Sequence, residues 1–305
     1  MTQMPAIQLE NVSKTFGRRK KRVEAVRQLS LEIAPGQVFG FLGPNGAGKS
    51  STIRMMMDLI RPSAGNILLY GRPVKNNPPL LQKVGALVEG AAFYDFLTGR
   101  KNLEILARTR GCYDAEQVQT LLAQVGLADR ADHKVQGYST GMKQRLGLAS
   151  ALLHDPDLVI LDEPTNGLDP AGIQDVRLFI RDLVDKQGKT VFLSSHMLNE
   201  VEQVCDRVGI ISNGRLVQTG NVAELLSTQA IIRLEVAPLE RALGLLLPKW
   251  PTVANGRWLE VQAPRDQAPE IVQQLVTAEV QIFQVVVRQQ SLEALFLAAT
   301  GGDNA

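Results

Sequence analysis

Apolar and polar residues alternate over Ile7 to Val12 and again over Val26 to Ile33, the period of two that predicts strands with one buried face. The next apolar stretch, Gln37 to Leu42, predicts a buried strand that runs straight into a glycine-rich loop. A helix is expected from Lys49, where KSSTIRMMMDLI sets Ile53, Met56, Met57 and Ile60 at helical spacing; core packing accounts for the methionine run. RPSAGNILLYGRPV then reads as turn, strand and turn. From about Phe96 to Leu153 the period is helical, with candidate helices in LTGRKNLEILARTRG, AEQVQTLLAQVGL and TGMKQRLGLASALL. DLVILDEP restores a strand, IQDVRLFIRDLVDKQG and KTVFLSS follow as helix and buried strand, and LNEVEQVCD with RVGIISNGRLVQTG repeats the alternation. This order predicts an α/β core with a helical insertion at about 92–155.

Near Ser227 the pattern breaks into short pieces. IIRLEV, LERALGLL, RWLEVQA, APEIVQQLVTAE, VQIFQVVVRQ and SLEALFLAAT read as strand, helix, strand, helix, strand, helix. The expected division is therefore a first domain at 5–226 and a small α/β domain at 229–300, without catalytic groups, before a frayed GGDNA tail.

Composition narrows the possibilities. A chain of 305 residues can bury a large core without staples, and Cys112 and Cys205 lack the spacing of a disulfide framework or a zinc site. A net charge of +2 provides no broad electrostatic argument for nucleic acid. MTQMPAIQLENVSKTF has no basic head followed by an apolar run, and no segment approaches the ~20 apolar residues of a membrane span. Folding in the cytoplasm is expected, with any membrane spans supplied by other polypeptides.

The glycine-rich loop carries the first chemistry. FLGPNGAGKSST fits Gly-x-x-x-x-Gly-Lys-Ser at Gly43, Gly48, Lys49 and Ser50, the loop that wraps nucleotide phosphates. Backbone N–H groups from Asn45 through Gly46, Ala47 and Gly48 to Ser50 are expected to point at the phosphates, aided by the positive end of the following helix. Lys49 is expected to bridge the β- and γ-phosphates of ATP, the Ser50 hydroxyl to ligate Mg2+, and Ser51 to reach the α-phosphate; Pro44 completes the loop. VILD then ends an apolar strand on Asp162, a carboxylate held rigidly beside the metal, with Glu163 adjacent.

Four further segments, STGMKQ at Ser139 to Gln144, LVILDEP at Leu158 to Pro164, GLDP at Gly167 to Pro170 and SSH at Ser194 to His196, follow the loop in order. Over roughly residues 5 to 225 the chain resembles the ATP-binding cassette (ABC) transporter ATPases: STGMKQ is a variant of their LSGGQ signature, and the others match Walker B, the D-loop and the switch histidine. The implied fold is the P-loop NTPase ABC cassette with a helical subdomain. By this resemblance Glu163 polarises the attacking water, His196 contacts the γ-phosphate or that water, and Phe16 in SKTFG stacks on adenine, with local core packing as the alternative. The basic run Arg18 to Arg22 reads as a solvated loop.

STGMKQ departs from the family pattern at Tyr138, Thr140 and the pair Met142-Lys143, but Ser139 and Gly141 still open a helix onto an anion. In the family that anion is the partner's ATP, so the resemblance implies a head-to-tail dimer, with an identical second chain expected. Transmission to separate transmembrane permease subunits is expected through VGALVEG, where the family's usual Gln is Glu89, a further candidate ligand of Mg2+. Glu89, YSTGMKQRLGLA and the terminal SLEALFL resemble the exporter subgroup associated with bacitracin and lantibiotic self-protection and drug export. The implied protein is the ATPase of a multi-subunit exporter, held peripherally at the cytoplasmic face of the membrane, with no nucleic-acid partner. A soluble ABC ATPase acting on the ribosome or nucleic acid is the alternative; those carry two fused cassettes or a long coiled-coil insertion.

Overall fold

In the computed structural model, which describes residues 4–17, 22–88, 92–227, 230–289, 292, 293 and 296, the chain divides between Thr219 and Gly220 into two compact units. The first unit has two sheets. In the antiparallel one, β1 (Ile7–Phe16) lies between β2 (Val23–Ile33) and β4 (Ala64–Leu69), with β5 (Arg72–Pro73) at the edge. The second has six strands in the order β10 (Arg215–Asn221), β9 (Arg207–Ser212), β3 (Val38–Leu42), β8 (Thr190–Ser195), β7 (Leu158–Asp162) and β6 (Val84–Leu87). β9, β3, β8, β7 and β6 form parallel ladders.

Every residue of β3, β7 and β8 is buried, which explains their continuous apolar sequences: a parallel strand covered on both faces has no wet side to alternate with. Phe39 stacks on Phe192 at 6.0 Å, and Phe41 tilts against the same ring at 5.5 Å. Register then positions the chemistry. Leu42 pairs with Ser195, and Asp162 pairs with Ser194, so β3, β7 and β8 end side by side. The loops after Leu42, Asp162 and Ser195 therefore emerge at one carboxyl edge of the sheet, where α/β folds bind ligands.

Between β6 and β7 stand α3 (Gly99–Thr109), α4 (Ala115–Gln124) and α5 (Thr140–Ala151). Each starts on a capping side chain: Thr98 accepts from Lys101 N at 3.1 Å, Asp114 from Glu116 N at 2.8 Å, and Ser139 from Met142 N at 3.2 Å. α6 (Pro170–Asp185) and α7 (Leu198–Val204) follow β7 and β8.

Three sequence expectations change. α1 (Lys49–Met56) stops short of Ile60, because Asp58 takes a left-handed φ of 53° and turns the chain away. The short helix α2 (Pro78–Leu81) precedes β6, an element the sequence reading left unassigned. Val84, Gly85 and Leu87 are buried in β6, so that half of VGALVEG is core rather than a contact surface, and Glu89 lies outside the described residues, as do Arg18 to Lys21.

The second unit begins with the end of β10 and α8 (Val222–Ser227). It then runs β11 (Ala230–Ala237), α9 (Leu239–Leu246), β12 (Thr252–Asn255), β13 (Trp258–Gln262), α10 (Ala268–Thr277) and β14 (Gln281–Gln289), with sheet order β12-β13-β11-β14. This is the split βαβ arrangement, antiparallel throughout. Ile232, Leu234, Leu259 and Val261 meet Leu246, Ile271 and Leu275 in its core. β12 was missed because three of the four residues in TVAN are exposed and show no alternation. Of the expected terminal helix, only Leu292, Glu293 and Phe296 are described.

Candidate functional site

The site is built on β3. Its buried strand delivers Gly43, where a side chain would have to occupy the space of the Ile211 carbonyl oxygen, 2.4 Å from an ideal Cβ. Gly48, the residue before α1, has φ 110° and a Cβ position 2.4 Å from Ala25 O. Only glycine satisfies both the conformation and the crowding there. Because Gly48 has no side chain, it makes no side-chain cap to the helix, and the first-turn N–H groups of Lys49, Ser50 and Ser51 have no intrahelical acceptor. Within the loop, Ala47 N closes a turn onto Pro44 O at 3.1 Å.

Lys49 is buried, and its ammonium donates to Gly43 O at 2.7 Å and Pro44 O at 3.4 Å. It lies 3.3 Å from Glu163 Oε1. The other oxygen of that carboxylate, Oε2, is 2.8 Å from His196 Nδ1. Glu163 thus bridges a cation of the phosphate loop and the histidine after β8.

One residue the sequence reading did not assign completes the arrangement. Ser194, fully buried in β8, donates through Oγ to Asp162 Oδ1 at 2.6 Å and accepts from Glu163 N at 3.0 Å. The available signal was a serine at the end of a buried strand, directly across the ladder from Asp162.

A phosphate chain fits this donor set, since uncapped helix amides and a buried ammonium face one loop. Among the described residues no group of three or more His, Cys, Asp or Glu could hold a metal ion. A divalent cation here would take one hydroxyl, Ser50, and one carboxylate, Asp162, with phosphate and water completing its shell, which is the sparse protein ligation that suits Mg2+.

Ser139 and Gly141 stand apart from this group. They open α5 in a separate cleft of about 430 Å3 shared with Thr140, Arg145, Leu168 and Asp169, and no phosphate-loop residue lines it. Asp169 caps α6 by accepting from Gly172 N at 3.2 Å. Phe16 is 39% exposed, at the end of β1, with the Lys14 ammonium 5.0 Å from its ring centroid, so core packing does not account for it.

Comparison with known proteins agrees with this geometry. Residues 26–166 match the family model described as ABC transporter. The ABC transporter ATP-binding protein YhcH of Bacillus subtilis (strain 168) is 40% identical over 297 residues, covering 97% of this chain and 96% of its own. The bacitracin transport ATP-binding protein BcrA of Bacillus licheniformis is 35% identical over 302 residues, with 97% of each chain covered. Among solved structures, the dimeric post-hydrolysis state of the ATP-binding cassette MJ0796 bound to ADP and Pi aligns with a TM-score of 0.65. That match covers 71% of this chain and 98% of the other at 24% identity, and it shows the cassette fold.

Proposed function

The chain belongs to the ABC transporter ATP-binding proteins, and from that premise we propose that it is the ATP-hydrolysing subunit of an exporter of antimicrobial peptides or drugs, with Glu163 as its general base. The observation that carries the proposal is the Glu163 carboxylate, placed between the Lys49 ammonium at 3.3 Å and His196 Nδ1 at 2.8 Å. The neighbouring Asp162 is fixed by Ser194.

In this reading the first-turn amides of α1 and Lys49 hold the phosphates of ATP. Ser50 and Asp162 would hold Mg2+, which supplies charge neutralisation on the phosphate oxygens when bound. Glu163 accepts a proton from the attacking water, and His196 orients Glu163 and the water through its ring nitrogens. Phe16 provides the aromatic face for adenine. Residues 5–226 form the cassette and 229–300 an accessory domain.

Ser139 and Gly141 close over nucleotide held by a second, identical cassette in a head-to-tail dimer; their cleft contains none of their own phosphate loop, which supports this assignment. No helix among the described residues is long and apolar enough to cross a membrane. Separate permease subunits supply the spans, and the chain works at the cytoplasmic face of the membrane. The similarity to BcrA over nearly the full length supports antimicrobial export as the task.

Replacing the general base tests the reading. Glu163→Gln keeps side-chain size and removes the proton acceptor, so ATP turnover is expected to fall by about 10²–10⁴-fold while ATP binding persists. Phosphate release by the mutant at near the parental rate would refute the assignment.

A further inference from the structure

The segment that carries Glu163 is tied to three elements. Glu163 N donates to Ser194 Oγ of β8 at 3.0 Å, and Pro164 O accepts from Gln144 Nε2 of α5 at 2.9 Å. The third tie is a hydrogen bond from Thr165 Oγ1 to Glu200 Oε2 of α7. The first uses a small buried hydroxyl of β8 and the second a side-chain amide of α5. The third uses an acid from the protein interior.

Glu200 is 7% exposed and Thr165 6%. The other carboxylate oxygen, Oε1, is buried with no hydrogen-bond partner among the described residues. Ile180, Leu193, Val201 and Val204 line the same small cavity of about 10 Å3, together with Ser195 and Arg177, whose guanidinium donates to Gln203 Oε1. A half-satisfied buried acid is unfavourable there, and an apolar side chain of similar volume would serve packing better. Packing therefore does not explain the residue, whereas its position does. Thr165 follows the base Glu163 by two positions, and Glu200 lies on the helix that begins just after His196. The buried bond joins the two segments whose side chains meet at 2.8 Å in the site.

We infer that Glu200 is a positioning residue for hydrolysis: through Thr165 it locks the Glu163 segment to the start of α7 and so holds Glu163 and His196 in register. The inference rests on the proposed role of Glu163 as base. Without the bond, the segment keeps its ties to Ser194 and Gln144, so ATP binding through the separate loop at Gly43 to Ser51 is retained while the base drifts from its working geometry.

The experiment is steady-state ATP hydrolysis by the full chain, with nucleotide-binding stoichiometry and melting temperature measured on each variant. Glu200→Ala and the isosteric Thr165→Val are each expected to lower kcat by about tenfold with KM for ATP within about twofold, the pattern of a lost transition-state alignment. Glu200→Gln, which keeps an oxygen for Thr165, is expected to recover most of that rate. The double variant Thr165→Val/Glu200→Ala is expected to be no slower than the slower single variant, because both remove one interaction. A kcat within about twofold of the parent in Thr165→Val at full nucleotide stoichiometry would overturn the inference. So would a loss of rate that merely tracks a loss of binding-competent protein. Thr165→Val decides the matter if Glu200→Ala does not fold. Glu163→Gln run in parallel separates the two levels: undiminished turnover there refutes the base itself, whereas abolished turnover with normal Glu200 and Thr165 variants refutes only the positioning role.

Discussion

Ser194→Ala removes one oxygen atom from the point where Walker B meets β8. The hydroxyl donates to Asp162 Oδ1 at 2.6 Å and accepts from Glu163 N at 3.0 Å, and the residue is fully buried. A hydrogen bond to a charged carboxylate contributes about 1.5–3 kcal/mol, and a buried amide left without an acceptor costs about 1–3 kcal/mol. Glu163 lies at the site's opening, with 20% of its side chain exposed, so water can reach its amide and offset part of the second loss. The expected destabilisation is therefore about 2–4 kcal/mol. For a unit of this size, at roughly 2–4 °C per kcal/mol, the melting temperature should fall by about 4–16 °C. The assay is thermal unfolding of the ligand-free chain followed by far-ultraviolet circular dichroism. Ser195→Ala serves as the internal comparison, because that hydroxyl accepts from Met197 N at 2.9 Å and, among the described residues, bonds to no carboxylate. Its effect should be about 1 kcal/mol. Equal melting temperatures for Ser194→Ala and the parent would show that the Ser194 bridge does not hold Asp162 and Glu163 in place.

The remaining predictions concern the dimer, the permease contact and acid sensitivity. Mixing Ser139→Arg chains with Lys49→Ala chains leaves one intact composite site per heterodimer, so random pairing should restore about a quarter of parental ATPase activity; no gain with heterodimers confirmed refutes the head-to-tail arrangement. Glu89→Gln exchanges an acceptor-only carboxylate for an amide that also donates. It should leave ATPase activity of the isolated chain intact and lower antimicrobial protection in cells, and equal protection at matched expression removes the proposed coupling role. Burial, and next the nearby Arg110, lower the pKa of His154 below its ordinary 6.5. As pH falls through 6.5 the unfolded chain takes up the proton first, so stability is full above that value and is lost below it until the folded pKa is passed. Melting temperatures measured between pH 7.5 and 5.5 should fall less steeply in His154→Gln; parallel curves refute the contribution.

Legibility followed how local each signal is. The phosphate loop could be read because its whole pattern lies within consecutive residues Gly43 to Ser50, although the atoms that crowd its glycines, Ile211 O and Ala25 O, come from distant segments. The fully buried β3, β7 and β8 were visible as apolar runs for the same reason. Features that depend on register were not visible. Ser194 gains its role only because Asp162 pairs with it across two strands distant in sequence. Glu200 reads as an ordinary helix surface acid until Thr165 is brought beneath it. β12 escaped because a short edge strand with one buried residue has no period to detect.

The conformation of Glu163 shows why the hidden residues matter. Its φ of 49° is left-handed, a region that costs a non-glycine residue about 1–3 kcal/mol. Local sequence offers no relief, since Pro164 follows directly and has no amide to donate. The offset comes from elsewhere in the cassette: Ser194 from β8, Gln144 from α5 and Glu200 from α7 each hold one residue of the segment. Glu163, anchored in this way, takes its position from three elements at once. Substitutions at Gln144 and Glu200 should therefore change turnover before they change nucleotide binding, because Gly43 to Ser51 are held by β3 and α1, which share neither of these bonds, whereas Ser194 also holds Asp162.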